Sequence, residues 1–582
     1  MCLHIRGGGQ SLGQSKAYAE NVNKRLSNES YDFNEDSTIK FLGKYTNTNN
    51  YSTVGIRGEE HTLTINDGTL TIIGNSPSGI VYADGGTTQG GVLNFRGNGD
   101  VIIENIGSSD TQTDDFYGEV AGNRKNAEAV YVFASSGGGN GSAVNFYNPN
   151  TLIRGTNYSA IRAESRNYGG IASVYFQNNL QIDLNRQTED NFQDSNVYAV
   201  YLNDGHLTVD GTADISVKAN ANDNYAMGMW MNDSSLEGAR GQATFNGDTT
   251  FTIDGGGAVY GYGIYVQDEA EATFARGAQI SVNNTNAATG LMVYGNNSSV
   301  TAGGILTVSA IGMSSAYGIR VQEASVSAAS ANITAHAANA RGIYAANAAA
   351  TFSGHVSIDA PIAAHAYGEG TKVAFNDGLS NVGETYMKAE EGASIFVNNL
   401  TSVVQYTGMT DITGQYANGV IDMTLNGAES HWYLTGDSRA TKLTNNGALL
   451  DMTMDGNKFS TLTLADLSGE NGWIKMDIDA SKNVDNSDRI HVTNTFSGTQ
   501  TVDLHRVDGN GEPAAAGTVI AKVNVNEGTF VANDTEGSLF YNRYTLDKQS
   551  TDEQGFTTEW YIKEIEQIGP EPEPEPEPEP DA

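Results

Sequence analysis

The chain has 582 residues and carries 32 Lys and Arg against 69 Asp and Glu, a formal charge of −37, with 38% hydrophobic residues, 17% charged residues and 68 glycines. This is the composition of a β-rich, turn-rich protein with neutral polar surfaces, and it excludes a typical disordered chain and speaks against a helical enzyme. The acidity repels phosphate backbones and anionic lipid, which sets nucleic acid aside as a partner. The single cysteine, Cys2, excludes an intrachain disulfide, and no apolar run approaches the roughly 18 residues of a membrane-spanning helix.

The opening residues, "MCLHIRGGGQ", show neither a basic region followed by a long apolar stretch nor a cleavage site. The expectation is that any signal peptide lies outside this chain. These ten residues are set aside from fold reasoning. Residues 1–35 read as an N-terminal extension, and "SKAYAENVNKRLSNES" within it predicts a short amphipathic cap helix. A coil of stacked strands leaves unpaired edges at its ends, so a cap is expected on physical grounds.

Residues 36–430 carry a repeat of the form small residue, apolar, variable, apolar. Its copies are "AVYV" at 129–132, "AIRA" at 160–163, "AVYL" at 199–202, "GMWM" at 228–231, "GIYV" at 263–266, "GLMV" at 290–293, "GIRV" at 318–321 and "GIYA" at 342–345. A weaker ancestor, "GIVY", stands at 79–82. Between copies run short period-two segments such as Ala272/Phe274 and Ile280/Val282, separated by Gly, Asn, Asp and Ser turns. About three short strands per repeat, with no helical period inside it, predict an all-β fold: a parallel β-helix, in which no rung closes a core alone. An antiparallel sandwich is the alternative, but sandwiches do not repeat one motif in register. A hexapeptide coil is disfavoured because a period of six is missing. The small first residue implies either a positive φ or no room for a Cβ.

From residue 431 the texture changes. Trp432 to Ser438, Leu462 to Asp479 ("LTLADLSGENGWIKMDID"), Ser487 to Gly498 and Tyr544 to Ile562 follow one another over about 130 residues. In that order they resemble the C-terminal stability module of pertactin-like autotransporter passengers. The resemblance implies a right-handed β-helix with a β-helical autochaperone module at 431–567, exported to the cell surface or secreted. The Pro-Glu run at 568–582 is an extended, stiff spacer. In the family such a segment leads to a membrane barrel, which this sequence lacks, so no direct membrane insertion is expected of the chain.

Chemistry was sought along the chain. "GDS" at 436–438 falls inside the module motif and reads as structural. "DIDASKNVDNSD" at 477–488 lacks the Gly and final Glu of a calcium loop. The nine His residues have no zinc spacing, "SSGGGNGS" precedes no helix, and there is no P-loop. No catalytic residue, cofactor or metal is assigned. Carbohydrate-cleaving β-helices need clustered acid, base and cationic side chains on one strand face, and that reading stays as the alternative.

In the repeated strand the two apolar positions point inward and the variable one outward. Stacking then aligns Tyr131, Arg162, Tyr201, Trp230, Tyr265, Met292, Arg320 and Tyr344 in one outward column. These residue types are enriched at binding hot spots, and they also stabilise a shaft by stacking on one another. Both readings stay open here. The family resemblance implies a surface adhesin attaching to host cells, matrix protein or glycan, with self-association and biofilm formation as further roles.

Overall fold

A computed structural model describes residues 16–20, 31–42, 54–57, 60–74, 79–84, 90–105, 128–134, 141–155, 159–165, 170–185, 195–233, 240–456, 459–479, 486–507, 516–533 and 541–569. Among these there is no α-helix, and the strands fall in long parallel ladders. The chain divides into two compact units, residues 1–365 and 366–582.

The first unit is a parallel β-helix with three ladders. One turn runs through Ser195–Asn203, His206–Val209 and Ala213–Lys218, and the next through Asp223–Asn232, Gln242–Phe245 and Thr249–Asp254. Each strand pairs in parallel with its counterpart one turn later, for example Val200 with Met229, Leu207 with Ala243 and Ile215 with Phe251. The apolar positions of the repeat, from Val130 and Val132 to Ile343 and Ala345, are fully enclosed. Beside them identical residues stack: Phe95, Phe146 and Phe176 lie 4.7 Å apart and nearly coplanar in orientation, and Phe245 on Phe274 repeats the arrangement at 5.1 Å. A parallel register places like on like in every rung, so one good packing solution is reused.

The small residue of the repeat is explained by space. Gly263 has an ordinary φ, and a Cβ there would run into Ile280 Cγ2 and stand 2.5 Å from the Gly290 carbonyl oxygen. The strand Tyr260–Gln267 shows why: burial alternates until Gly263 and Ile264, which both point inward, and then resumes. The pleat slips by one residue at that point.

Two expectations are corrected. Lys16–Glu20 is a strand pairing in parallel with Ser37–Leu42, not part of a cap helix. The free edge of the neighbouring strand offers a complete ladder, which outweighs the modest helix propensity of "KAYAE". The rest of the expected helix, 21–30, lies outside the described residues. At 79–82 the motif is displaced by one residue. Val81 is enclosed and Tyr82 is the outward residue, paired with Tyr131. Three strands per turn persist into the second unit, where Thr385–Glu390, Ser394–Val397 and Val404–Asp411 follow one another. Val404–Asp411 is the first strand there to serve two ladders, pairing with Leu379–Asn381 at its start and with Thr385–Glu390 at its end.

Long strands bent by register slips, already present in Gly277–Tyr294 and Ser299–Gln322 of the first unit, continue in the second. Thr461–Ser468, Arg489–Phe496 and Val519–Asn526 stack in parallel, with the register slipping at matching places, Leu464/Asp466 and Val492/Thr495. Such slips kink a strand so that it covers two faces. The parallel stack closes with an antiparallel hairpin, Tyr541–Ser550 with Thr558–Ile568, whose second strand pairs antiparallel with Val519–Asn526. Trp560 seals it, donating its indole N–H to Asn526 Oδ1 at 2.8 Å and meeting Phe530 edge-on. The hairpin occupies an edge that would otherwise template other strands.

Candidate binding face

The outward column exists. In-register pairs run Tyr131–Arg162, Arg162–Tyr201, Tyr201–Trp230, Trp230–Tyr265, Tyr265–Met292, Met292–Arg320 and Arg320–Tyr344. Seven of the eight side chains are half-buried, and Met292 is covered to 6% exposure. Covering Met292 is a departure from the expectation of eight equally presented residues. Its neighbours are the larger Tyr265 and Arg320, which close over a flexible thioether.

A second column was not anticipated. Because the pleat slips at the small residue, the position three residues upstream lies on the same side as the column. It carries Glu128, Ser159, Tyr198, Met227, Tyr262, Thr289, Tyr317 and Arg341; Tyr262, Tyr317 and Arg341 are half-buried and the other five are enclosed. The two columns touch. Tyr198 lies 5.9 Å from Tyr201 and 5.2 Å from Trp230, Tyr201 lies 5.0 Å from Trp230, and Tyr262 stacks on Tyr265 at 5.2 Å. Higher up, Arg320 and Arg341 each lie over both Tyr317 and Tyr344. Tyr stands directly before three of the eight repeats, at 198, 262 and 317, a partial signal that strict alternation within the repeat does not use.

The lower part of the face is a closed ionic clamp. Arg162 donates to Glu128 Oε1 at 3.1 Å and to Glu164 Oε2 at 2.9 Å, and its guanidinium lies over the Tyr131 and Tyr201 rings. Burial pushes the Glu128 carboxyl and the Tyr131 phenol up, and the carboxylates hold the Arg162 charge in place against its own burial. Glu128 and Glu164 are almost fully enclosed. Two carboxylates and a cation meet here, but no substrate reaches them.

The middle rungs are neutral. Tyr225 stacks on Tyr260 at 5.3 Å and approaches Tyr262 at 6.3 Å. The Tyr262 phenol is pushed up to about 12, first by burial and then by its Tyr265 and Tyr225 neighbours. Burial also raises Tyr265, with Asp268 and Tyr294 adding to the effect. These phenols therefore stay protonated at neutral pH. Along one margin Asn232 donates to Asn203 at 3.2 Å and Gln267 to Asn232 at 3.0 Å, forming an amide ladder.

No group of His, Cys, Asp and Glu able to hold a metal occurs among the described residues. The "GDS" serine has a structural task. Ser438 Oγ donates to Gly436 O and accepts the Thr410 N–H, both inside the core. In 477–488, Asp488 is enclosed and accepts the backbone N–H groups of Ser460 at 2.7 Å and Asp477 at 2.6 Å. No helix among the described residues is long and apolar enough to cross a membrane.

No family model and no curated protein matches the sequence. Solved structures do match. One is the Haemophilus influenzae Hap adhesin, 14% identical with a TM-score of 0.27, covering 92% of this chain and 63% of that one. Another is the autotransporter UpaB from E. coli strain CFT073, 12% identical with a TM-score of 0.25, covering 93% of this chain and 99% of that one. The chain is similar to an adhesin and an autotransporter. It spans 63% of the Hap adhesin chain, and the parallel β-helix itself rests on the strand register described above.

Proposed function

We propose that the protein is a passenger of the autotransporter type, displayed at a bacterial surface or released from it. In this reading it acts as an adhesin for host cells, matrix protein or glycan through its double outward column. The observation that carries this reading is the face itself: two touching columns on one side of the first unit, in which Tyr131, Arg162, Tyr201, Trp230, Tyr262, Tyr265, Tyr317, Arg320, Arg341 and Tyr344 are half-buried and Tyr198, Met227 and Met292 are enclosed. The stacking explains part of it as shaft stabilisation, at about 0.5–1.5 kcal/mol per aromatic pair. It does not explain the donors. Trp230 Nε1 and Arg320 Nε are enclosed with no acceptor among the described residues. Each such orphan costs about 1–3 kcal/mol, and an apolar ladder would avoid that cost. The motif order at 431–567 supports the passenger reading. The domain boundaries at 35, 430 and 567 belong to this proposal.

The test replaces Tyr201, Trp230 and Tyr265 with Ser and measures adherence to cultured cells and to matrix-coated surfaces. Loss of adherence is expected with the fold retained and the melting transition lowered only by the lost ring contacts. Intact adherence with an intact fold removes the face from the proposal. Self-association is a separate branch. It must overcome the −37 charge, so it should strengthen with added salt, which an aggregation assay across ionic strength reads directly. The polysaccharide-cleaving alternative is checked by assaying the purified chain against acidic and neutral polysaccharides, with no product expected.

A further inference from the structure

On the rungs from Asp223 to Tyr294 the two columns present Trp230, Tyr262 and Tyr265, with Tyr225 and Tyr260 two residues upstream of the second column, while Met227 and Met292 are enclosed. None of these residues is a cation; Arg320 pairs with Met292 on the next rung, and the Asp268 carboxylate accepts from Gln267 Nε2 at 3.0 Å. The outermost rings present the most surface: Tyr260 is 41% exposed and Tyr294 40%. Beside the rings runs the Asn203–Asn232–Gln267 amide ladder.

We infer that this platform takes a neutral glycan, an uncharged hexose chain. This inference rests on the adhesin reading and names the ligand class for the same face. A pyranose offers an apolar face of C–H groups and a rim of hydroxyls. The rings match the first and the amide ladder, with donors and acceptors along one margin, matches the second. Sites of this composition, aromatic walls with a few placed polar groups, suit small neutral ligands. Sulfated and sialylated chains fit poorly, because Arg320, the cation on the neighbouring rung, lies over the Tyr317 and Tyr344 rings and the surrounding acidic chain repels anions. An aromatic platform needs no salt bridge, so the binding is expected to be insensitive to ionic strength.

The experiment uses the purified full chain on surfaces bearing neutral β-linked gluco- and galacto-oligosaccharides, their sialylated and sulfated counterparts, and enzymatically deglycosylated matrix protein. Retention on the neutral sugars is expected, unchanged between low and high salt, and at least tenfold weaker for the Tyr260→Ser/Tyr294→Ser variant. Both side chains are partly exposed and Tyr260 gives up its stack on Tyr225, so the melting transition should fall only slightly. Gln267→Glu, of equal size, is the second variant and should weaken retention without touching the rings. Retention on sialylated, sulfated or deglycosylated surfaces alone overturns the inference and leaves the adhesin reading standing. Neutral-sugar retention that both variants preserve overturns the placement on this platform. No retention on any surface overturns the adhesin reading together with the inference.

Discussion

The two units solve one problem differently. Each must turn a strand ladder through corners without stranding backbone polar groups. Up to Phe274 the first unit turns its three ladders at polar or Gly-containing corners such as Asp254–Ala258, where Gly256 and Gly257 adopt positive φ, and beyond it Gly277–Tyr294 and Ser299–Gln322 run through their corners with register slips. The second unit carries on with strands that serve two ladders through register slips, and it satisfies corner N–H groups with carboxylates. Asp377 accepts the N–H groups of Leu400, Thr401 and Ser402 at 2.7, 2.7 and 2.9 Å. Asp488 does the same for Ser460 and Asp477. In the first unit the carboxylates of the outward face are paired with Arg162 instead. The lesson is that a carboxylate aimed at backbone donors stabilises its corner, whereas one buried with a cation stabilises only as long as the cation stays.

Removing that cation should have the largest effect. Arg162→Met strands two enclosed carboxylates and is expected to cost the first unit about 3–5 kcal/mol in denaturant unfolding. Glu128→Gln should cost under about 1 kcal/mol at neutral pH, since burial already disfavours its charged form. A cost for Arg162→Met no larger than for Glu128→Gln would break the comparison. In the second unit Asp488→Ala leaves two enclosed N–H groups unpaired and should cost about 3 kcal/mol, with Asp488→Asn recovering part of it. Gly263→Ala tests the space argument. Its Cβ meets Ile280 and Gly290, so a loss of about 1–3 kcal/mol is expected, while Ala199→Gly at the equivalent position of another rung should cost roughly 0.5–1 kcal/mol.

The pH dependences sharpen the comparison because their signs oppose. Burial pushes the Asp377 carboxyl up, but the hydrogen bonds from Ser402, Thr401 and Leu400 outweigh it and hold the group well below the usual range. Its stabilisation is present above the unfolded carboxyl value and is lost as pH falls toward the folded one. Glu128 is raised, so its contribution is fullest below the unfolded value and is lost as pH rises through the folded one. In acid, therefore, Asp377→Asn should narrow its stability deficit against the parent chain. Glu128→Gln should lose whatever advantage it has, and thermal melts at pH 3 and pH 7 read both.

Much of the first unit was legible in the sequence. The inward residues of every repeat, the Phe stacks and the eight-residue outward column follow from period-two alternation and a repeat near 27 residues. Ser438 and Asp488 were also legible as structural groups, because they sit in strand-and-turn contexts rather than in a cluster of reactive side chains. The strand at Lys16–Glu20 was not, since a partner edge far along the chain decided it.

By itself the sequence determined composition, repeat and pattern: a neutral-surfaced, acidic, parallel β-helix, because side-chain alternation and turn residues are local properties. Tertiary structure decided what the outward residues meet. The slip at Gly263 and Ile264 doubled the column, and the same packing buried Met292 beneath its neighbours. It also pinned Arg162 between carboxylates two and thirty-four residues away. Those outcomes depend on the height and shape of adjacent rungs, which no single stretch of chain encodes.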